Sequence, residues 1–122
     1  MELIAISPFA DEHPDFRRVL WTGDHSQLAI MTLQPGEDIG SEVHEANDQI
    51  LSFLKGTGEA IVDGKKLVVA PGDILTVPAG AEHNIANTGK TPLVLYTIYG
   101  PPDHAPGTVH RTKDEALAAE GH

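Results

Sequence analysis

Gly72-x5-Pro78-x-Gly80-x2-His83-x3-Asn87 decides the fold of this chain. It reads as a strand, a tight turn and a second strand, with a histidine just past the turn. Pro71-Gly72 turns the chain, and Ile74-Leu75-Thr76-Val77 has the composition of a short buried strand. Pro78-Ala79-Gly80 ends that strand, because proline fixes φ and glycine tolerates positive φ. Two glycines and a proline meet this spacing by chance about once in 4,000 starts at average residue usage, so the string says more than a lone histidine would.

Working outward, short strands recur between turn residues. Residues 17–22 and 27–33 read as strands joined by Gly23-Asp24-His25-Ser26. Strands follow at 50–55, 59–62, 65–70, 74–77, 85–86 and 93–99. Asp63-Gly64 makes a two-residue hairpin, since a type I′ turn needs positive φ at both central positions. Strand after short strand at intervals of about 8–12 residues means an all-β barrel or sandwich. Residues 7–15, with Pro8 and Pro14, read as an irregular N-terminal arm. Residues 100–107, rich in Pro and Gly, exclude a regular element. Thr112-Lys113-Asp114-Glu115 has capping-box order and predicts a short C-terminal helix.

The quoted string resembles the second motif of the cupin family, with all five fixed positions present. A first motif stands upstream as Gly36-x5-Glu42-x-His44-x4-Gln49-x6-Gly56. Its spacing matches the usual G-x5-H-x-H-x4-E-x6-G, but Glu42 replaces the first His and Gln49 replaces the Glu. Thr57 to Pro71, fifteen residues, separate the motifs, and together with their flanking strands they span about residues 28–100. The resemblance implies a double-stranded β-helix, an antiparallel jelly-roll barrel, over residues 16–100. One domain would then cover 1–122, with the arm at 1–15 and the Pro-rich tail and short helix at 101–122. It also implies one divalent metal (Zn, Mn, Fe or Ni) held by Glu42, His44, His83 and Gln49. The string Glu42-Val43-His44…Asp48-Gln49 with residues 95–99 and Pro101-Pro102 is similar to a bacterial subgroup described as mannose-6-phosphate isomerase-like. Small cupins are commonly dimers, so the arm and tail are expected at a two-fold interface.

Strand geometry supports convergence independently. Glu42 and His44, two apart, share a face. Gln49 shares parity with Leu51 and Phe53, and His83 is expected to enter from the far side. Two imidazoles and one carboxylate with open positions suit Fe(II) and other divalent ions. One carboxylate against a divalent cation leaves net positive charge, which favours an anionic oxygen. Tyr96 and Tyr99 differ by three, so at most one reaches the cavity. The tail is expected either to close the barrel mouth, with His104 as a base, or to pack on the outer wall. His110 shares that tail. His13, His25 and His122 read as bland, and Trp21 as core or interface.

Composition narrows the partners. Of 122 residues, 18 are acidic and eight basic, a formal charge of −10 with no cysteine. Such a surface repels nucleic acid. Cysteine chemistry is excluded. No apolar run reaches the ~20 residues of a membrane span and no leader is visible, so a cytoplasmic protein acting on a small molecule is expected. The leading expectation is metal-assisted proton transfer, as in sugar isomerisation. The alternatives are an Fe(II)-dependent dioxygenase and a non-catalytic barrel that binds a metal or metabolite.

Overall fold

The computed structural model describes residues 1–120. The chain runs α1 (Ile6–Glu12), β1 (Arg17–Thr22), β2 (Gln27–Leu33), β3 (Glu42–Val43), β4 (Asp48–Lys55), β5 (Gly58–Val62), β6 (Lys65–Val69), β7 (Ile74–Val77), β8 (Glu82–Ala86), β9 (Leu93–Gly100), β10 (Val109–His110) and α2 (Lys113–Glu120). All pairings are antiparallel. One sheet has the order β10-β1-β2-β9-β4-β7 and the other β3-β8-β5-β6. The all-β prediction and the cupin barrel are therefore what the chain forms, with a short C-terminal helix.

Alternation builds the interior. On β4, Gln49, Leu51 and Phe53 are buried while Asp48 and Ile50 are exposed. Met31, Leu51 and Leu95 of one sheet meet Ala60 and Ile85 of the other in a single apolar cluster. Each fully buried aliphatic or aromatic side chain contributes about 1.5–3 kcal/mol. The hairpin between β5 and β6 turns at Asp63 (φ 47°) and Gly64 (φ 80°), as its sequence requires. Gly56 (φ 79°) is demanded twice over, because a Cβ there would collide with the Pro92 carbonyl oxygen.

Several expectations change. The arm is not irregular: α1 forms over residues 6–12. Pro8 lies in its first turn, where the missing N–H costs nothing. Phe9 and Ala10 then pack against Ile30 and Val94, and that burial pulls the segment onto the sheet. The tail also holds a strand: Val109 and His110 pair with Arg18 and Arg17. The strand expected at 85–86 begins earlier, at Glu82, so His83 lies on β8 itself. Thr112 does cap α2, its hydroxyl accepting from the Glu115 N–H at 3.2 Å, but the Glu115 carboxylate reaches the Arg111 N–H instead. Among the described residues no helix is long and apolar enough to cross a membrane. His122 lies outside the described residues.

Candidate metal centre

The second motif's turn is tied to the loop carrying the first. The Gly80 N–H donates to the His44 carbonyl at 3.0 Å, and the Ala79 N–H donates to the Asp48 carboxylate at 3.0 Å. Gly80 has φ 85°, which a side chain would resist. Asn87, the motif's last position, is structural. Its amide donates to the Leu33 and Thr91 carbonyls, and its oxygen accepts from Gly89, closing the loop after β8.

This scaffold brings Glu42, His44 and His83 together, with one ligand atom from each lying within 4.8 Å of the others. His83 does not come from the far side. β3 and β8 are neighbours, and Glu42 pairs directly with His83. His83 is 3% exposed and its Nδ1 lies 3.2 Å from the Ala81 carbonyl oxygen. With the proton on Nδ1, its Nε2 lone pair is free for a metal. His44 Nε2 is 3.0 Å from Glu42 Oε2, and its Nδ1 is 3.4 Å from Asp103 Oδ1. Those two carboxylates, Asp103 first, raise the His44 pKa to about 9. The same contact holds Asp103 below the usual carboxylate range.

Gln49 arrives from the other sheet, opposite Tyr99 of β9. Its Nε2 donates to Thr97 Oγ1 at 2.9 Å. Its Oε1 is buried without a hydrogen-bond partner among the described residues. An unsatisfied buried carbonyl costs about 1–3 kcal/mol, and a cation is one partner that would satisfy it. That orphan oxygen, two imidazoles and one carboxylate together fit a divalent ion. His44 would then keep Asp103 on its other nitrogen, the carboxylate–histidine–metal arrangement that orients a ligand ring.

The tail reaches this group. Tyr99 is buried, with its ring centroid 5.8 Å from that of His44 and 5.3 Å from that of His104. Its hydroxyl is 3.4 Å from His104 Nε2. Burial raises the Tyr99 pKa and keeps the phenol protonated. Burial, then the Arg17 charge, lowers the His104 pKa to about 4. Gln27, fully buried, fixes the tail. It donates to the His104 carbonyl at 2.7 Å and accepts from the Asp103 and His104 N–H groups at 3.1 and 2.9 Å.

Of the sequence candidates, Glu42, His44, His83, Tyr99 and His104 meet in one place. Gln49 lies beside them through Tyr99 and Thr97. Tyr96 is of opposite parity to Tyr99 and pairs with Ile30 and Ser52 on the flanking strands. His110 meets Arg17, whose Nη1 is 3.3 Å from its Nδ1, and Lys55 pairs with Asp11 of α1. His13 stacks on Phe9, and Trp21 is 40% exposed over Gly23. Sequence reasoning missed Asp103, Gln27 and Arg17. For Arg17 a signal existed, since it shares parity with Val19 and is therefore a charge on the inward face of β1.

The cupin domain model matches residues 29–99, and the chain belongs to the cupin family. The uncharacterised protein YrkC of Bacillus subtilis is 44% identical over 97% of this chain and 67% of its own length. A crystal structure of a Bacillus halodurans protein superposes with a TM-score of 0.93 at 41% identity, covering 96% of this chain and 93% of that one. More distantly, an oxalate-binding protein of Thermotoga maritima is 37% identical over 58% of this chain and 59% of its own length. A quercetin 2,3-dioxygenase of Bacillus subtilis is 27% identical over 78% of this chain and 28% of its own length.

The ranking of ligands is testable. Glu42→Gln removes the group's only carboxylate and is expected to lower metal affinity at least a hundredfold, against about tenfold for Gln49→Ala. Gln49→Glu adds a charge and should tighten binding. Competition titration with a chromophoric chelator measures all three. A harmless Glu42→Gln beside a metal-free Gln49→Ala would reverse the ranking.

Proposed function

We propose that this protein is a metal-dependent cupin that moves a proton on a small oxygen-bearing metabolite, in the manner of an isomerase. The observation that carries this is the meeting of the Glu42–His44–His83 group with the tail-borne His104. The ion, Zn, Mn, Fe or Ni, would be held by Glu42, His44, His83 and Gln49. It would supply Lewis acidity, drawing charge from a substrate oxygen and making the adjacent C–H more acidic.

The chain's own groups do the rest. His104 is the ring that would take a proton from carbon and return it to the neighbouring carbon. Its lowered pKa leaves it uncharged but weakly basic, so acidification of the C–H by the ion would carry most of the activation. Tyr99, kept protonated, sits within reach of the His104 ring and orients it. Asp103 holds His44. Gln27 keeps the tail in place and water out.

Oxygen chemistry is the second reading. The two-His, one-carboxylate set suits Fe(II), and one relative is named a dioxygenase. Binding without turnover is a third, favoured by the relative named as oxalate-binding.

Elemental analysis of the purified protein comes first. The Zn- or Mn-loaded protein is then incubated in D2O with a panel of small hydroxy and oxo compounds. Deuterium entering the carbon beside the carbonyl, and lost in His104→Gln, is the expected result. Oxygen uptake by the Fe(II) form without such exchange would favour the dioxygenase. Retained metal with neither outcome would leave a binding protein.

A further inference from the structure

The chain has three arginines, Arg17, Arg18 and Arg111. Arg17 alone is enclosed, at 1% exposure, with the Tyr99 hydroxyl among its partners but no carboxylate in close contact. A guanidinium out of water calls for a carboxylate in bidentate contact, at about 2.7–2.9 Å. Here Arg17 Nη2 is 3.9 Å from Glu42 Oε1. The other Glu42 oxygen is engaged by His44. Nη1 is 3.3 Å from His110 Nδ1, and the Phe16 ring lies 5.5 Å below the guanidinium carbon. Nε is buried with no acceptor among the described residues. Arg17 also acts electrostatically on Tyr99, Asp103 and His104, so its charge sits within the site rather than behind it.

Charge counting points the same way. Arg17 and a divalent ion bring three positive charges, while Glu42 and Asp103 bring two negative ones. With His44 ligating as a neutral ring, the loaded site carries one surplus positive charge in a partly buried place. An anion supplied from outside balances it.

We propose that Arg17 determines specificity, receiving the carboxylate of a small organic acid, a 2-hydroxy or 2-oxo acid, beside the metal position. The planar guanidinium suits the two carboxylate oxygens, and a lysine ammonium does not reproduce that fork. This rests on reading the Glu42–His44–His83 group as the substrate site.

The test is calorimetric and uses the full-length protein loaded with Zn, with glycolate as probe and ethylene glycol and inorganic phosphate as comparators. Glycolate should bind wild type at least tenfold more tightly than either comparator. Arg17→Gln should keep one metal per chain and lose at least tenfold in glycolate affinity, with Arg17→Lys in between. Unchanged glycolate affinity in Arg17→Gln, or a wild type that binds ethylene glycol or phosphate as well as glycolate, overturns the assignment. Should Arg17→Gln fail to fold, Arg17→Lys and the wild-type ratio decide, since a role in packing alone predicts no preference for the acid. If the wild type takes up no metal, the proposed function fails. The Arg17 assignment then fails with it, since the surplus charge that calls for an anion needs the ion, whereas metal uptake without a preference for glycolate removes the Arg17 assignment alone.

Discussion

Replacing His83 or His44 by alanine is expected to abolish stoichiometric metal binding while the barrel stays folded. The loss follows from the donor count, since each variant leaves one imidazole, one carboxylate and one amide oxygen. The fold survives because its core is built by apolar side chains such as Met31, Leu51 and Phe53 rather than by the ligands. Metal per chain by elemental analysis, with far-UV circular dichroism, measures both. Full occupancy in either variant would show the assignment of Glu42, His44 and His83 to be wrong.

The metal-free wild type should also betray His44 through pH. Its folded pKa of about 9 lies above the unfolded value near 6.5, so the protonated ring stabilises the fold fully below pH 6.5. That contribution, up to about 3 kcal/mol, is lost as pH rises from 6.5 to 9. His104 works in the opposite direction. Its folded pKa of about 4 is depressed, so stability is present above pH 6.5 and falls away between 6.5 and 4. Urea unfolding across pH 4–9 should therefore show a maximum near pH 6.5. His44→Ala should flatten the alkaline limb, and His104→Gln the acid one. A level alkaline limb in the metal-free wild type would remove Asp103 and Glu42 as partners of that ring.

Gln27→Ala is the second large effect. One side chain satisfies the Asp103 N–H, the His104 N–H and the His104 carbonyl, and also donates to Thr22 Oγ1 at 2.9 Å. Its loss strands those groups at about 1–3 kcal/mol apiece unless water enters. With partial hydration, a destabilisation of about 3 kcal/mol and a Tm lower by roughly 10 °C are expected. Metal stoichiometry should hold, because Gln27 touches no ligand, whereas deuterium exchange into substrate should collapse as His104 drifts. Unchanged melting together with unchanged exchange would mean the tail is held by something else.

What the sequence disclosed, and what it hid, divides by distance along the chain. Glu42 and His44 were legible because strand parity is local, and His83 because its motif is contiguous. The pairing of Glu42 with His83 was not legible, since register between β3 and β8 is set by the whole sheet. Pro8 read as a breaker because its place in a first turn becomes visible only once Phe9 and Ala10 find the sheet. Asp103 looked like one acid among eighteen until the tail folded back onto His44. Gln27 looked like an ordinary polar strand residue, its partners lying 76 and 77 positions away.

The candidate ligands all fall between residues 42 and 83, whereas Arg17, Gln27, Asp103 and His104 stand outside that span. The metal housing and the parts that would choose and process a substrate thus lie in separate stretches of the chain. Descent can rewrite the ends of such a chain, exchanging the anion receptor or the base, without disturbing the ion they act beside. Two members with the same central barrel are then related as a lamp socket is to its bulbs, and kinship read from the middle of the chain speaks first of the ion.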